Sequence, residues 1–211
     1  MLSLLLNLLL PACCAGCETR GAPVCPACCR TWASPAEVSR APLAALAPAY
    51  ALARYEGVPK QILIAYKERG RRDTAPFLGR ALAAGLAALP GSRASPWCLV
   101  PAPSRRVASR GRGGPHVQRM AEEAARLIGG CVAPALVLRG GRDAVGLNRS
   151  ERAANLEGRL RFVAAGRPPP GTSVVVVDDV ITTGATSAAC VTALKNAGVP
   201  VVAVLALLAT V

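Results

Sequence analysis

The chain has 211 residues, is 52% hydrophobic but only 3% aromatic, and carries a net charge of +13. That length admits one α/β domain with a small appendage, and the apolar content excludes a disordered chain. Nine cysteines without a convincing secretion signal argue against a disulfide scaffold and for metal.

Leu2 to Leu10 is apolar, but the first basic residue is Arg20, so the positive start of a signal peptide is missing. Nine apolar residues are too few to span a bilayer. The expectation is a short docked helix, no membrane span and a cytoplasmic protein. Cys14-x-x-Cys17 and Cys25-x-x-Cys28 follow, separated by seven residues that include Gly21. Four thiolates at that spacing predict a structural zinc site in a module over residues 1–32. Cys13 and Cys29 leave the ligand register open by one residue at each end. A redox pair competes with this reading, but it needs one Cys-x-x-Cys beside a βαβ unit.

Residues 33–48 are rich in Pro and Ala and read as a connector to a main domain over 49–211. Tyr50 to Tyr55 and Gln61 to Tyr66 read as strands. Asp73 or Thr74 caps a helix reaching Leu89, with Pro76 in its first turn. Cys98 to Val100 is a strand entering the stiff turn Pro101-Ala102-Pro103-Ser104. His116 to Ile128 is a helix ended by Gly129-Gly130, and Ala135 to Leu138 is a strand. His116, the single histidine, reads as a cap or surface residue. Cys98, Cys131 and Cys190 read as core. Strands alternating with helices predict a doubly wound, mostly parallel sheet.

The excess charge falls between residues 60 and 167, where twenty basic residues outnumber seven acidic ones. Such a field suits a polyanion, either a pyrophosphate-bearing small molecule or nucleic acid. For any single Arg, a solvated surface is the plainer reading.

Val174 to Val177 is an apolar run suited to a strand buried on both faces, and Asp178-Asp179 stand where that strand is expected to end. The small residues Thr182-Thr183-Gly184-Ala185-Thr186 then open a helix over Ser187 to Asn196, with Gly198 at C′. A helix start presents unpaired N–H groups to a phosphate, and Gly184 allows close approach. The acids can take hydrogen bonds from a sugar diol or hold a hydrated divalent cation. A last strand spans Val201 to Leu208. No Gly-Lys-Ser/Thr occurs, so the acids are not half of a P-loop site.

Asp178 to Thr186 resembles the phosphoribosyl pyrophosphate (PRPP) signature of type I phosphoribosyltransferases, where the acids contact the ribose hydroxyls and the loop wraps the 5′-phosphate. Other segments follow in order: the four-Cys module, Tyr66-Lys67-Glu68-Arg69-Gly70, Val100 to Ser104 with the Arg cluster ending at Arg110-Gly111, and Gly146-Leu147 with Arg152 and Asn155. From about Leu5 onward this order resembles the ComF family, amidophosphoribosyltransferase-like proteins linked to DNA uptake in competent bacteria. The resemblance implies a type I phosphoribosyltransferase-like fold that binds PRPP or ribose 5-phosphate with Mg²⁺. It places Pro103, Ser104 and Arg110 near the pyrophosphate and Arg152 in a hood over the ligand. Gly146 departs from the Gln of many members, and Gly113-Gly114-Pro115-His116 from an aromatic and an Asn. Two functions compete: a phosphoribosyltransferase, and a catalytically inactive accessory that binds single-stranded DNA beside competence proteins such as a DNA-translocating helicase.

Overall fold

The computed structural model describes residues 13–90, 95–103, 115–138 and 159–211. Six strands form one sheet in the order β1-β2-β8-β7-β3-β4. These are β1 (Ala36–Glu37), β2 (Ala49–Arg54), β3 (Trp97–Pro101), β4 (Cys131–Val132), β7 (Ser173–Ile181) and β8 (Ala203–Ala209). All neighbours run parallel except β1, which lies antiparallel on the edge beside β2. A separate antiparallel pair joins β5 (Leu136–Leu138) to β6 (Leu160–Phe162). The described helices are the short α1 (Pro26–Cys29), then α2 (Gly57–Glu68), α3 (Ala75–Ala87), α4 (His116–Ile128) and α5 (Ala185–Asn196).

The valine run of β7 explains the layering. Alternate side chains leave a strand on opposite faces, so an all-apolar run needs cover on both. Val175 and Val177 join Ile62, Leu78 and Met120 of α2, α3 and α4. Val174 and Val176 join Val191 and Leu194 of α5, with Leu136 and Leu160. This is an α/β fold with a mostly parallel sheet, compatible with double winding.

Two elements differ from the sequence expectation. Gln61 to Tyr66 is part of α2, not a strand. Ile62, Leu63 and Tyr66 are buried with Pro59 at helical spacing, so the packed face overrides the β preference of the isoleucines. β7 also does not end at the acids. Val180 and Ile181 continue the ladder against Leu208 and Ala209, which puts Asp178 and Asp179 inside the strand.

The cysteine module and the connector share the main core. Cys14 and Cys28 belong to the buried cluster of Ile62, Leu63 and Tyr66. An added Cβ on Gly16 would lie 2.8 Å from a Val58 methyl, so that glycine lets the module sit on α2. Residues 33–48 supply β1.

α3 and α4 cross where Gly79 meets Glu123. A Cβ on Gly79 would fall 2.3 Å from the Glu123 Cβ. Neither atom can rotate away, so Gly79→Ala should force the helices apart and destabilise the fold by about 1–2 kcal/mol, despite alanine's better helix propensity. Urea denaturation checks this, and an unchanged or raised midpoint would refute the close crossing.

Candidate functional site

The chain leaves β3 through α4 toward β4 at one edge, and leaves β7 through α5 toward β8 on the other side. The strand order therefore reverses between β3 and β7, and open α/β sheets bind ligands at the carboxyl ends flanking such a point. Ala102 N–H donates to the Val177 carbonyl at 2.8 Å, joining the end of β3 to β7 four residues before β7 ends at Ile181. Asp178 and Asp179 lie just short of this end on β7. Pro103 lies just beyond β3, beside a cleft of about 360 Å³ lined also by Val117, Gln118 and Leu136. Ser104, Arg110, Gly146, Leu147, Arg152 and Asn155 fall outside the described residues.

The acids are adjacent in sequence but leave the strand on opposite faces. Asp179 points to the side of α2 and α4, where its Oδ2 meets Lys67 Nζ and His116 Nε2, each at 2.5 Å. Asp178 lies on the α5 side, and its Oδ1 accepts the Asp179 N–H at 2.8 Å. Both residues are only 8% exposed. Burial pushes the Asp178 carboxyl well above the usual carboxylate range, with the charge of Asp179 adding to the rise. Burial acts in the same sense on Asp179, but the hydrogen bond to His116 and the charge of Lys67 outweigh it and hold that carboxyl below its ordinary value. One acid thus stays ionised while its neighbour favours the proton.

Lys67 and His116 were not expected at the site. His116 is no surface residue: it is 6% exposed, and its backbone carbonyl accepts the Tyr66 hydroxyl at 2.8 Å. The ring stands edge-on to Tyr66 at 6.3 Å. With Nε2 given to Asp179, its Nδ1 has no partner among the described residues. The signal lay in the helical spacing, because His116 shares the buried stripe of α4 with Val117, Met120, Ala121 and Ala124. Lys67 becomes legible only once 61–66 is read as helix.

Thr182 is exposed, Thr183 is half-buried, and Thr186 lies in the first turn of α5. The Thr183 hydroxyl accepts the Ala185 N–H at 3.4 Å. Gly184 is the N-cap residue, with φ of 81° in the left-handed region. A Cβ there would lie 2.9 Å from Arg40 Cβ and 3.2 Å from Leu43 Cδ1. The glycine is therefore demanded by backbone conformation and by the Arg40 stem, apart from any ligand.

Cys14, Cys17, Cys25 and Cys28 come together, with all four sulfurs within 4.8 Å of one another. Cys17 and Cys25 sulfurs are 3.6 Å apart, close to the edge of a tetrahedral Zn–S₄ shell. Cys14 Sγ accepts the backbone N–H groups of Gly16 at 3.4 Å and Cys25 at 3.3 Å. Burial works against its ionisation, yet those N–H groups and that of Cys17 pull the thiol down to about 6. Cys28 is pushed up by burial and then by the neighbouring sulfurs. Four thiols so crowded can bind a metal such as zinc, whose charge would let them ionise together. Cys13 and Cys29 stand outside this group; the Cys29 thiol is directed at the Val24 carbonyl, 3.9 Å away.

No family model matches the chain, and no curated protein matches it. Among the described residues no helix is long and apolar enough to cross a membrane.

The two acids should respond oppositely to pH. A carboxyl whose folded pKa is raised loses stability as pH climbs from the ordinary carboxylate range toward the folded value, here about 8. Asp178→Asn keeps the acceptor oxygen and should raise stability at neutral pH, with the gain fading below pH ~4. Asp179 contributes in the other direction, above the ordinary carboxylate value and lost as pH falls through its lowered folded value. Asp179→Asn should cost about 1.5–3 kcal/mol at pH 7. Denaturation midpoints from pH 3 to 9 decide, and equal responses of the two variants would refute the assignment.

Proposed function

We propose that the chain binds PRPP or ribose 5-phosphate, with Mg²⁺, as a type I phosphoribosyltransferase-like protein of the ComF kind, and that it acts in DNA uptake. The observation that carries this reading is the junction of β7 and α5: two acids, a small-residue loop and a helix start beside the point where the strand order reverses. The backbone N–H groups and the partial positive charge of the α5 start suit the 5′-phosphate, aided by the hydroxyls of Thr182, Thr183 and Thr186. Asp179, the acid that stays ionised, accepts from the ribose diol in this reading, while Asp178 faces the other side of the strand. One or two carboxylates beside a phosphate ligand is also the usual donor set for Mg²⁺, which supplies charge neutralisation of the pyrophosphate. Lys67 shields Asp179 in the absence of ligand, and its side chain, 22% exposed, is long enough to yield that carboxylate to a sugar. Transfer, where it occurs, is displacement of pyrophosphate from the ribose C1, with the fixed dipoles of residues 182–186 anchoring the far end of the donor.

Calorimetry with PRPP and Mg²⁺ tests this. Asp179→Asn should weaken PRPP about 10- to 100-fold, equivalent to one charged hydrogen bond, while inorganic phosphate still binds. Thr186→Pro removes one N–H at a position where proline's φ is tolerated, and should weaken both ligands. Absence of PRPP binding by the wild type, or two variants that bind like it, would refute the site.

The cysteine cluster holds structural zinc in this reading, since four sulfur ligands leave no open position for chemistry. Elemental analysis should find about one zinc per chain, and Cys14→Ser should lower both metal content and melting temperature. Metal-free protein that melts like the metal-bound form would count against it.

A further inference from the structure

We infer that Arg40, from the segment before β2, sets the conformation of the 182–186 loop and thereby its hold on a phosphate ester; the ligand half of this rests on the sugar-phosphate reading above. Arg40 Nε donates to the Thr182 carbonyl at 2.7 Å, Nη1 to the Ser39 carbonyl at 2.8 Å, and Nη2 to the Thr210 carbonyl. Thr182 and Thr210 are the first residues past the ladder of β7 and β8, and Thr210 N–H donates to the Ile181 carbonyl at 3.0 Å. One guanidinium therefore ties together the two chains that leave the central strands at the candidate site.

The consequence for the loop follows from peptide geometry. A trans peptide is planar, so its C=O and the next N–H point in opposite directions. By holding the Thr182 carbonyl, Arg40 turns the Thr183 N–H away from itself, and it keeps that carbonyl's negative end directed at a cation. The aliphatic stem completes the arrangement. It occupies the space that a side chain at 184 would need, so the loop's left-handed glycine and Arg40 fit as a pair. A lysine cannot reproduce this, because its single ammonium lacks the planar fork that reaches three carbonyls. The residue touches no ligand in this scheme and is a positioning residue.

Hydrogen exchange of the ligand-free protein, paired with ribose 5-phosphate calorimetry, tests the inference. Arg40→Ala and Arg40→Lys should both speed exchange at the Thr210 and Ala188 amides, which donate to the Ile181 and Gly184 carbonyls, about tenfold or more, with little change in β3 or α3, and weaken ribose 5-phosphate by a similar factor. Millimolar guanidinium ion should restore both properties to Arg40→Ala, a rescue that a general packing defect would not show. Where Arg40→Ala fails to fold, Arg40→Lys decides. Unchanged exchange at Thr210 and Ala188 in a folded variant, or an Arg40→Lys protein equal to wild type, overturns the inference. Tight sugar-phosphate binding despite a loosened loop overturns its ligand half. A loosened loop in a protein whose wild type takes up no ribose 5-phosphate refutes the sugar-phosphate reading and leaves the clamp standing.

Discussion

A carboxylate inside a buried parallel strand must find positive charge or give up its own, and the centre of this fold is arranged around that requirement. Asp179 sits in the middle of the sheet because β7 continues past it, and two cationic-capable side chains come to the same oxygen from different helices. Lys67 is next to the last residue of α2, and His116 is the first residue of α4. The end of one helix and the beginning of another are thus fixed on one strand by a single carboxyl group. Asp178, with no such partners among the described residues, meets the same low-dielectric surroundings by favouring its protonated form. The difference between the two acids is set by which side of the pleat each occupies.

The cysteine module extends this scaffold. Cys28 shares a buried cluster with Tyr66, and Tyr66 precedes Lys67 and hydrogen-bonds the backbone of His116. The clustered sulfurs, α2 and the central acid therefore form a continuous packed path. The segment between module and sheet is equally committed. It supplies β1, the Arg40 clamp on the loop, and the Leu46 carbonyl that accepts Lys195 of α5 at 2.5 Å.

Much of this was legible in the amino-acid order because it depends on local pattern. The four-valine run, the Gly129 stop of α4 and the Cys-x-x-Cys spacing each report a constraint satisfied within a few residues. What was hidden depends on the third dimension. No local feature of residues 39–41 announces that Arg40 reaches Thr182 and Thr210. The adjacency of Asp178 and Asp179 suggested shared work on one ligand, whereas the pleat sends them to opposite faces. His116 was misjudged because a histidine at a helix start resembles a cap, and only the stripe it shares with Met120 places it inside. Gln61 to Tyr66 misled because two isoleucines in a short window favour strand, while the burial that decides the matter repeats with the turn of a helix.

The position of β8 also bears on how the chain reaches this state. Residues 203–209 lie between β2, formed by residues 49–54, and β7, formed by 173–181. Until β8 is in place, the sheet exists as two halves, each with an unsatisfied edge of apolar strand. The N-terminal half can gather its cysteine module and helices early, but its edge must wait for a segment about 150 residues further along. Such long-range closure is slow and leaves a partly made sheet open to mispairing with other chains. The edge of β2 thus stays open until residues 203–209 have been made, and the yield of folded molecules depends on that closing step as well as on native stability.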